Sequence, residues 1–322
     1  WTMAFSASDA AFEGFRLARR SPLTILIWAV FYAAMTVAIF AVAGGAMGNF
    51  MELAQGLETG GEPTTAEMTA FMSAYFGFLG LILPISLILG SIAYAAVNRA
   101  IVRPAESAFG YLRLGMDELR VLVVQIALGL TIGLGFGLLG GVVFGVLGAA
   151  TGMAGEGMAP LLGLLMFVAV IALVCLAVWV SVRLSLALPI TVAERRIAIF
   201  DSWNLTRGHF WSLLGMALLA FVMCIVVQIL LSIVLMPILY FTASGFENLS
   251  SLETMSPVEI MTAMAPVAIA ILVFSAIVSA LQAAIIYAPF ASAYLGLSGR
   301  NAGGAAPETG PSEPVESSTP EL

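Results

Sequence analysis

The chain has 322 residues, 61% hydrophobic and 10% charged, with a formal net charge of −7 and a mean hydropathy of +1.06. A soluble domain carries about 25% charged residues, so this composition excludes an ordinary globular enzyme and requires apolar surface facing lipid. The acidic balance, with no basic run longer than two residues, excludes a nucleic-acid partner.

In chain order, an amphipathic stretch precedes an apolar run that opens near Leu23 and is too long for the core of a cleavable signal peptide. Apolar runs then occupy about 23–46, 70–97, 121–150, 160–182, 212–241 and 264–296. Each reaches the roughly 20 residues that cross a bilayer core. The expected fold class is therefore all-α, a polytopic membrane protein with six transmembrane helices, some tilted or extended beyond the bilayer. Ser21-Pro22 reads as the N-cap and first residue of the first span. Thr64 with Glu67, and Ser256 with Pro257 and Glu259, read as capping boxes opening the second and sixth. Pro84, Pro237, Pro266 and Pro289 are expected to kink helices or mark their ends.

Arginine placement sets the expected orientation. All 12 basic residues are Arg. Arg16, Arg19 and Arg20 precede the first span, Arg99, Arg103, Arg113 and Arg120 lie between the second and third, Arg183, Arg195, Arg196 and Arg207 between the fourth and fifth, and Arg300 beyond the sixth. The intervening loops hold no Arg, but they hold Glu52, Glu58, Glu62, Glu67, Glu156, Glu247, Glu253 and Glu259. The positive-inside rule places the arginine side, with both termini, in the cytoplasm of a bacterial inner membrane.

A repeat runs through this layout. Asp9-Ala10-Ala11-Phe12, Glu106-Ser107-Ala108-Phe109 and Asp201-Ser202-Trp203-Asn204 each precede an odd-numbered span, with Arg16, Arg113 and Arg207 about two turns later. The offset between the first and third elements also maps Thr64 onto Ser256 and Glu67 onto Glu259. The chain divides on this basis into units 1–105, 106–200 and 201–297, each an interfacial amphipathic helix followed by a transmembrane hairpin. Such helices lie at headgroup depth with Phe, Tyr, Trp and Leu inward and Arg reaching phosphates. The tail, 298–322, rich in Gly, Ala, Pro, Ser and Glu, is expected to be disordered.

Within the third span, Gly129, Gly133, Gly137, Gly141 and Gly145 recur every four residues as overlapping GxxxG motifs. This spacing flattens one helix face and lets a second helix approach. Packing within the chain is the first reading, a seam between copies the second.

No chemistry-bearing constellation emerges. Cys175 and Cys224 lie in apolar runs and read as small packing residues. The sole histidine, His209, has no ligand set around it, so neither a metal nor a cofactor is expected. Gln125, Gln228 and Gln282 are intramembrane amides that bridge helices or line a path, and no span carries the ionisable group of a proton-driven pump.

The stretch Asp201-Ser202-Trp203-Asn204-Leu205-Thr206-Arg207-Gly208, with Trp211 beyond it and Arg183, Pro189 and Glu194 before it, resembles a bacterial signature. The family is the membrane domain of glycerophosphoryl diester phosphodiesterases, with its stand-alone relatives. The resemblance implies a bacterial multi-span protein and no activity, because no stretch outside the spans is long enough for a catalytic barrel of about 250 residues. The expected function is a non-enzymatic membrane protein organising lipids or partner proteins at the cytoplasmic face. Membrane lipids, a membrane-protein partner or a second copy are the expected partners, and Asp201, Ser202, Trp203, Arg207, Gly208 and Trp211 the contact residues. The alternative is a transporter or channel for a small or lipidic solute, with its path along a pseudo-three-fold axis.

Overall fold

The computed structural model describes residues 6–59, 63–153, 156–243 and 257–299, and all regular structure among them is helical. The helices are α1 (Ala7–Ala11), α2 (Glu13–Arg20), α3 (Pro22–Thr59), α4 (Thr65–Val102), α5 (Met116–Met153), α6 (Ala159–Leu184), α7 (Ala187–Glu194), α8 (Asp201–Leu205), α9 (Phe210–Ala243) and α10 (Pro257–Ser298). Six of them, α3, α4, α5, α6, α9 and α10, are long and apolar enough to cross a membrane. The chain is a multi-pass integral membrane protein.

These helices outrun the apolar runs that seed them. At 38 residues, α4 spans about 57 Å, against about 30 Å of bilayer hydrocarbon. Its extra outer turns are held by the expected capping box. The Thr64 side chain accepts from the Glu67 N–H at 3.3 Å, and the Glu67 carboxylate accepts from the Thr64 N–H at 2.8 Å. The counterpart at Ser256 lies outside the described residues. Pro84, Pro237, Pro266 and Pro289 all fall inside helices and mark no ends.

The buried core sits at one end of the bundle, where the arginines are. It comprises Ile25, Trp28 and Ala29 of α3, Ser91–Val102 of α4, Val121 and Val124 of α5, Ile190 of α7, Leu213 and Met216 of α9, and Ala280, Ala283, Ala284, Ala288, Ala291, Ala293 and Tyr294 of α10. Toward the other end, residues such as Leu138, Val142, Phe167, Ile233 and Met236 stand exposed. Exposed apolar surface on this scale is stable only in lipid.

Helix α10 is the hub, touching α1, α2, α3, α4, α7 and α9. Its buried Ala276, Ala280, Ala283, Ala284, Ala288 and Ala291 give a face with little bulk, so neighbours pack close. Among the described glycines, Gly14 of α2 has the closest neighbours. A Cβ there would lie 2.5 Å from the Ala284 carbonyl oxygen and 2.5 Å from Ile285 Cα. The glycine ladder of α5 behaves differently. A Cβ at Gly129, Gly133, Gly137, Gly141 or Gly145 meets nothing within 4 Å, so the expected packing within the chain is overturned. Spacing reports which face is flat and not what it faces. Helix α5 turns Glu118, Val121, Val124 and Gly140 inward instead.

The three segments before the odd-numbered spans differ from one another. The first forms α1 and α2, whose small face of Ala10, Ala11, Gly14 and Leu17 is buried while Phe12 and Phe15 point away. The second forms no amphipathic helix. It is a 3-10 turn, Ala108–Tyr111, with left-handed backbone at Phe109, Gly110 and Tyr111. Tertiary bonds hold it in this shape. Trp28 Nε1–H donates to the Gly110 carbonyl at 2.7 Å, and the Arg99 guanidinium donates to the Tyr111 carbonyl. The third is the short α8, followed by a turn through Gly208 at φ +86° before α9 begins.

The buried α7 lies past the end of the fourth apolar run, with Ala187, Pro189, Ile190, Thr191 and Val192 enclosed. Pro189 accounts for the break from α6. Its ring cannot follow a helical carbonyl four residues earlier, and that residue is Ser185, where α6 has just ended. Cys175 is exposed on the outer surface of α6 and is not a packing residue, while Cys224 is partly enclosed; both are free thiols.

Candidate functional site

At the arginine-bearing end, five arginines converge on three carboxylates. Glu118 and Asp117 reach this place because α5 starts at Met116, in register with the end of α4. Arg99 Nη2 lies 2.5 Å from Glu118 Oε1 and 3.7 Å from Asp117. Arg103 bonds Asp117 at 2.6 Å, Glu106 at 3.3 Å and the Val192 carbonyl at 3.0 Å. Arg120 holds Asp117 at 2.9 Å, and Glu106 also receives Arg113 and Arg195 at 3.1 and 2.8 Å. The network ties α4, the 103–115 connection, α5 and the turn after α7 into one block. Every carboxylate in it is engaged by arginine, an arrangement suited to holding elements in place.

The signature residues form a second group. Ser202, fully buried, donates from Oγ to the Arg183 carbonyl at 2.8 Å and accepts from the Leu186 N–H at 3.1 Å. Thr206 Oγ1 reaches the same carbonyl at 3.3 Å and the Ser202 carbonyl at 2.8 Å. The two hydroxyls thus satisfy backbone groups freed where α6 breaks into α7. Trp203, on the opposite side of α8, packs edge-on against Trp179 with ring centroids 5.1 Å apart. The guanidinium of Arg183 lies 5.7 Å from the centroid of each ring.

Asp201 does not take Arg207 as its partner. Its carboxylate forms an ion pair with Arg196 at 2.6 Å, and Arg196 also reaches Glu194 at 2.6 Å. These two acceptors, Glu194 first, push the Arg196 pKa further above its already high ordinary value. An open cleft of about 490 Å³ lies over this bridge, lined by Glu194, Asp201, Asn204 and Tyr294 among others. The Tyr294 hydroxyl donates to Glu194 at 3.3 Å across it.

Of the six contact residues expected from sequence, the structure brings Asp201, Ser202 and Trp203 into these contacts. Arg207, Gly208 and Trp211 stand exposed at the turn into α9, as does His209. Among the described residues, Arg207 has no carboxylate within ion-pair distance. Gln228 and Gln282 hydrogen-bond each other across α9 and α10, as helix-bridging amides do. Sequence reasoning missed Trp179, Phe200 and the Asp117–Glu118 pair. The signal for that pair was present, since two adjacent acids at the start of a span opposite Arg99 and Arg103 call for pairing.

No protein-family model, curated protein or solved structure matches this chain.

Proposed function

We propose that this chain is a non-enzymatic protein of the bacterial inner membrane that gathers anionic lipids, or a membrane-protein partner, on its cytoplasmic face. One observation carries the reading. Each of the three segments at the arginine-bearing end presents exposed aromatic residues: Phe12 and Phe15 from the first, Phe109 from the second, and Phe200 and Trp211 beside α8. Phe109, Phe200 and Trp211 are 85%, 81% and 79% exposed, more than a water-facing surface gains from. Aromatic rings beside arginines belong at headgroup depth, where the ring meets acyl chains and the guanidinium meets phosphate.

The orientation follows from the arginine bias, with the N and C termini cytoplasmic. The three-unit division of the chain is part of the same reading, and it is supported by the recurrence of an exposed aromatic beside arginine before each odd-numbered span. The resemblance of 183–211 to the phosphodiesterase-associated membrane domain belongs here too. Its Ser, Trp and Thr positions have definite structural work at the α6–α7 break, which explains why those residue types are used. The test is mass spectrometry of lipids and proteins retained by the full chain through mild detergent extraction. Enrichment of anionic phospholipid over the bulk membrane, or one stoichiometric protein partner, is the expected result. Retention of lipid in bulk proportions with no partner would sink the proposal.

A further inference from the structure

We propose that Arg183, set beside the paired indoles of Trp179 and Trp203, binds the phosphate of a single anionic phospholipid. The inference rests on the lipid-gathering reading and gives it a site.

Among the described residues, Arg16, Arg20, Arg99, Arg103, Arg113, Arg120, Arg195 and Arg196 each have a carboxylate within 4 Å. Arg183 has none. Arg19 and Arg207 also lack one, but both are exposed. Arg183 is partly buried, and its Nε and Nη1 are enclosed without an acceptor. An enclosed cation with neither anion nor acceptor is costly. The two indoles offset part of that cost through their π faces and fix the plane of the guanidinium. They supply no negative charge.

The position of the site selects the anion. Arg183 lies in the last turn of α6, where the apolar span gives way to the α6–α7 break. Along α6 below it, Leu161, Leu165, Val168 and Leu176 form an exposed stripe at helical spacing on the same face as Trp179 and Arg183. Trp179 and Trp203 are themselves only partly covered, at 38% and 37% exposure. A diacyl lipid fits both parts at once, with its chains along the stripe and its phosphate at the guanidinium. A zwitterionic headgroup brings its own ammonium and leaves the charge of Arg183 uncompensated. A net-negative headgroup neutralises it.

The test is native mass spectrometry of the full chain titrated with phosphatidylglycerol or phosphatidylcholine. The wild type is expected to hold one phosphatidylglycerol in preference to phosphatidylcholine, and soluble glycerol phosphate should not displace it. Arg183→Gln should weaken that binding at least about tenfold, the scale of one charge-assisted hydrogen bond, while the charge-matched Arg113→Gln should not. Should Arg183→Gln fail to fold, Arg183→Lys and Trp179→Leu carry the test, and both are expected to weaken binding. Unchanged binding in folded Arg183→Gln, or in both substitutes, overturns the site and leaves the lipid-gathering reading standing. No preference for phosphatidylglycerol in the wild type defeats both. Displacement by glycerol phosphate would make this a site for soluble phosphate and overturn the lipid assignment.

Discussion

Arg99 Nη2 lies 2.5 Å from Glu118 Oε1, and the two side chains are 2% and 6% exposed. This pair joins the end of α4 to the start of α5, and the Tyr111 carbonyl accepts a further bond from the same guanidinium. A buried ion pair adds little against a well-packed apolar pair, but removing one partner strands the other charge. Glu118→Ala should therefore lose about 3–5 kcal/mol of stability, seen as a lower melting temperature in detergent. The double variant Arg99→Met/Glu118→Leu should recover much of the loss. A double variant as unstable as Glu118→Ala would show that shape at this junction, and not stranded charge, sets the cost.

Glycines that look alike in sequence should separate in experiment. Gly14→Ala places a Cβ against backbone of α10 that cannot yield cheaply. A loss of about 1–3 kcal/mol is expected. Gly137→Leu adds bulk where the chain has no neighbour, and in dilute detergent it should melt like the parent. If Gly137→Leu lowers the melting temperature while Gly14→Ala does not, the assigned helix contacts are wrong.

The hydroxyl of Ser202 serves one carbonyl and one N–H at the α6–α7 break. Ser202→Ala leaves both without that partner and should cost about 1–3 kcal/mol. Asn204, two residues on and exposed, should tolerate alanine within about 0.5 kcal/mol. Equal effects from the two substitutions, measured by thermal unfolding, would contradict the role given to Ser202.

Orientation is open to direct labelling. In a background lacking Cys175 and Cys224, cysteines at Glu58 and Met153 should react with a membrane-impermeant maleimide in intact spheroplasts. Cysteines at Arg113 and Arg195 should react only after lysis. The reverse pattern would place the arginine-bearing end outside and remove the basis for a cytoplasmic lipid surface.

Sequence alone determined the helical class, the six spans and the start of α4. These depend on local quantities: the length of an apolar run, and a Thr three residues ahead of a Glu. Pro189, read only as part of a resemblance, already marked the break that creates α7. Partner choice was not legible, because it depends on which faces of distant helices meet. The α5 glycine ladder has the pattern of a packing seam yet meets nothing among the described residues, while the unremarked Gly14 packs against the backbone of α10. Ala108–Tyr111 looked like its neighbours in composition, but bonds from Trp28 and Arg99 pull it into a left-handed turn. Asp201 pairs with Arg196 although Arg207 lies about as near along the chain, because the turn after α7 brings Arg196 alongside α8. The cluster of Trp179, Arg183 and Trp203 also belongs to the tertiary structure. It joins residues on α6 and α8, which meet because the chain reverses in the turn between α7 and α8.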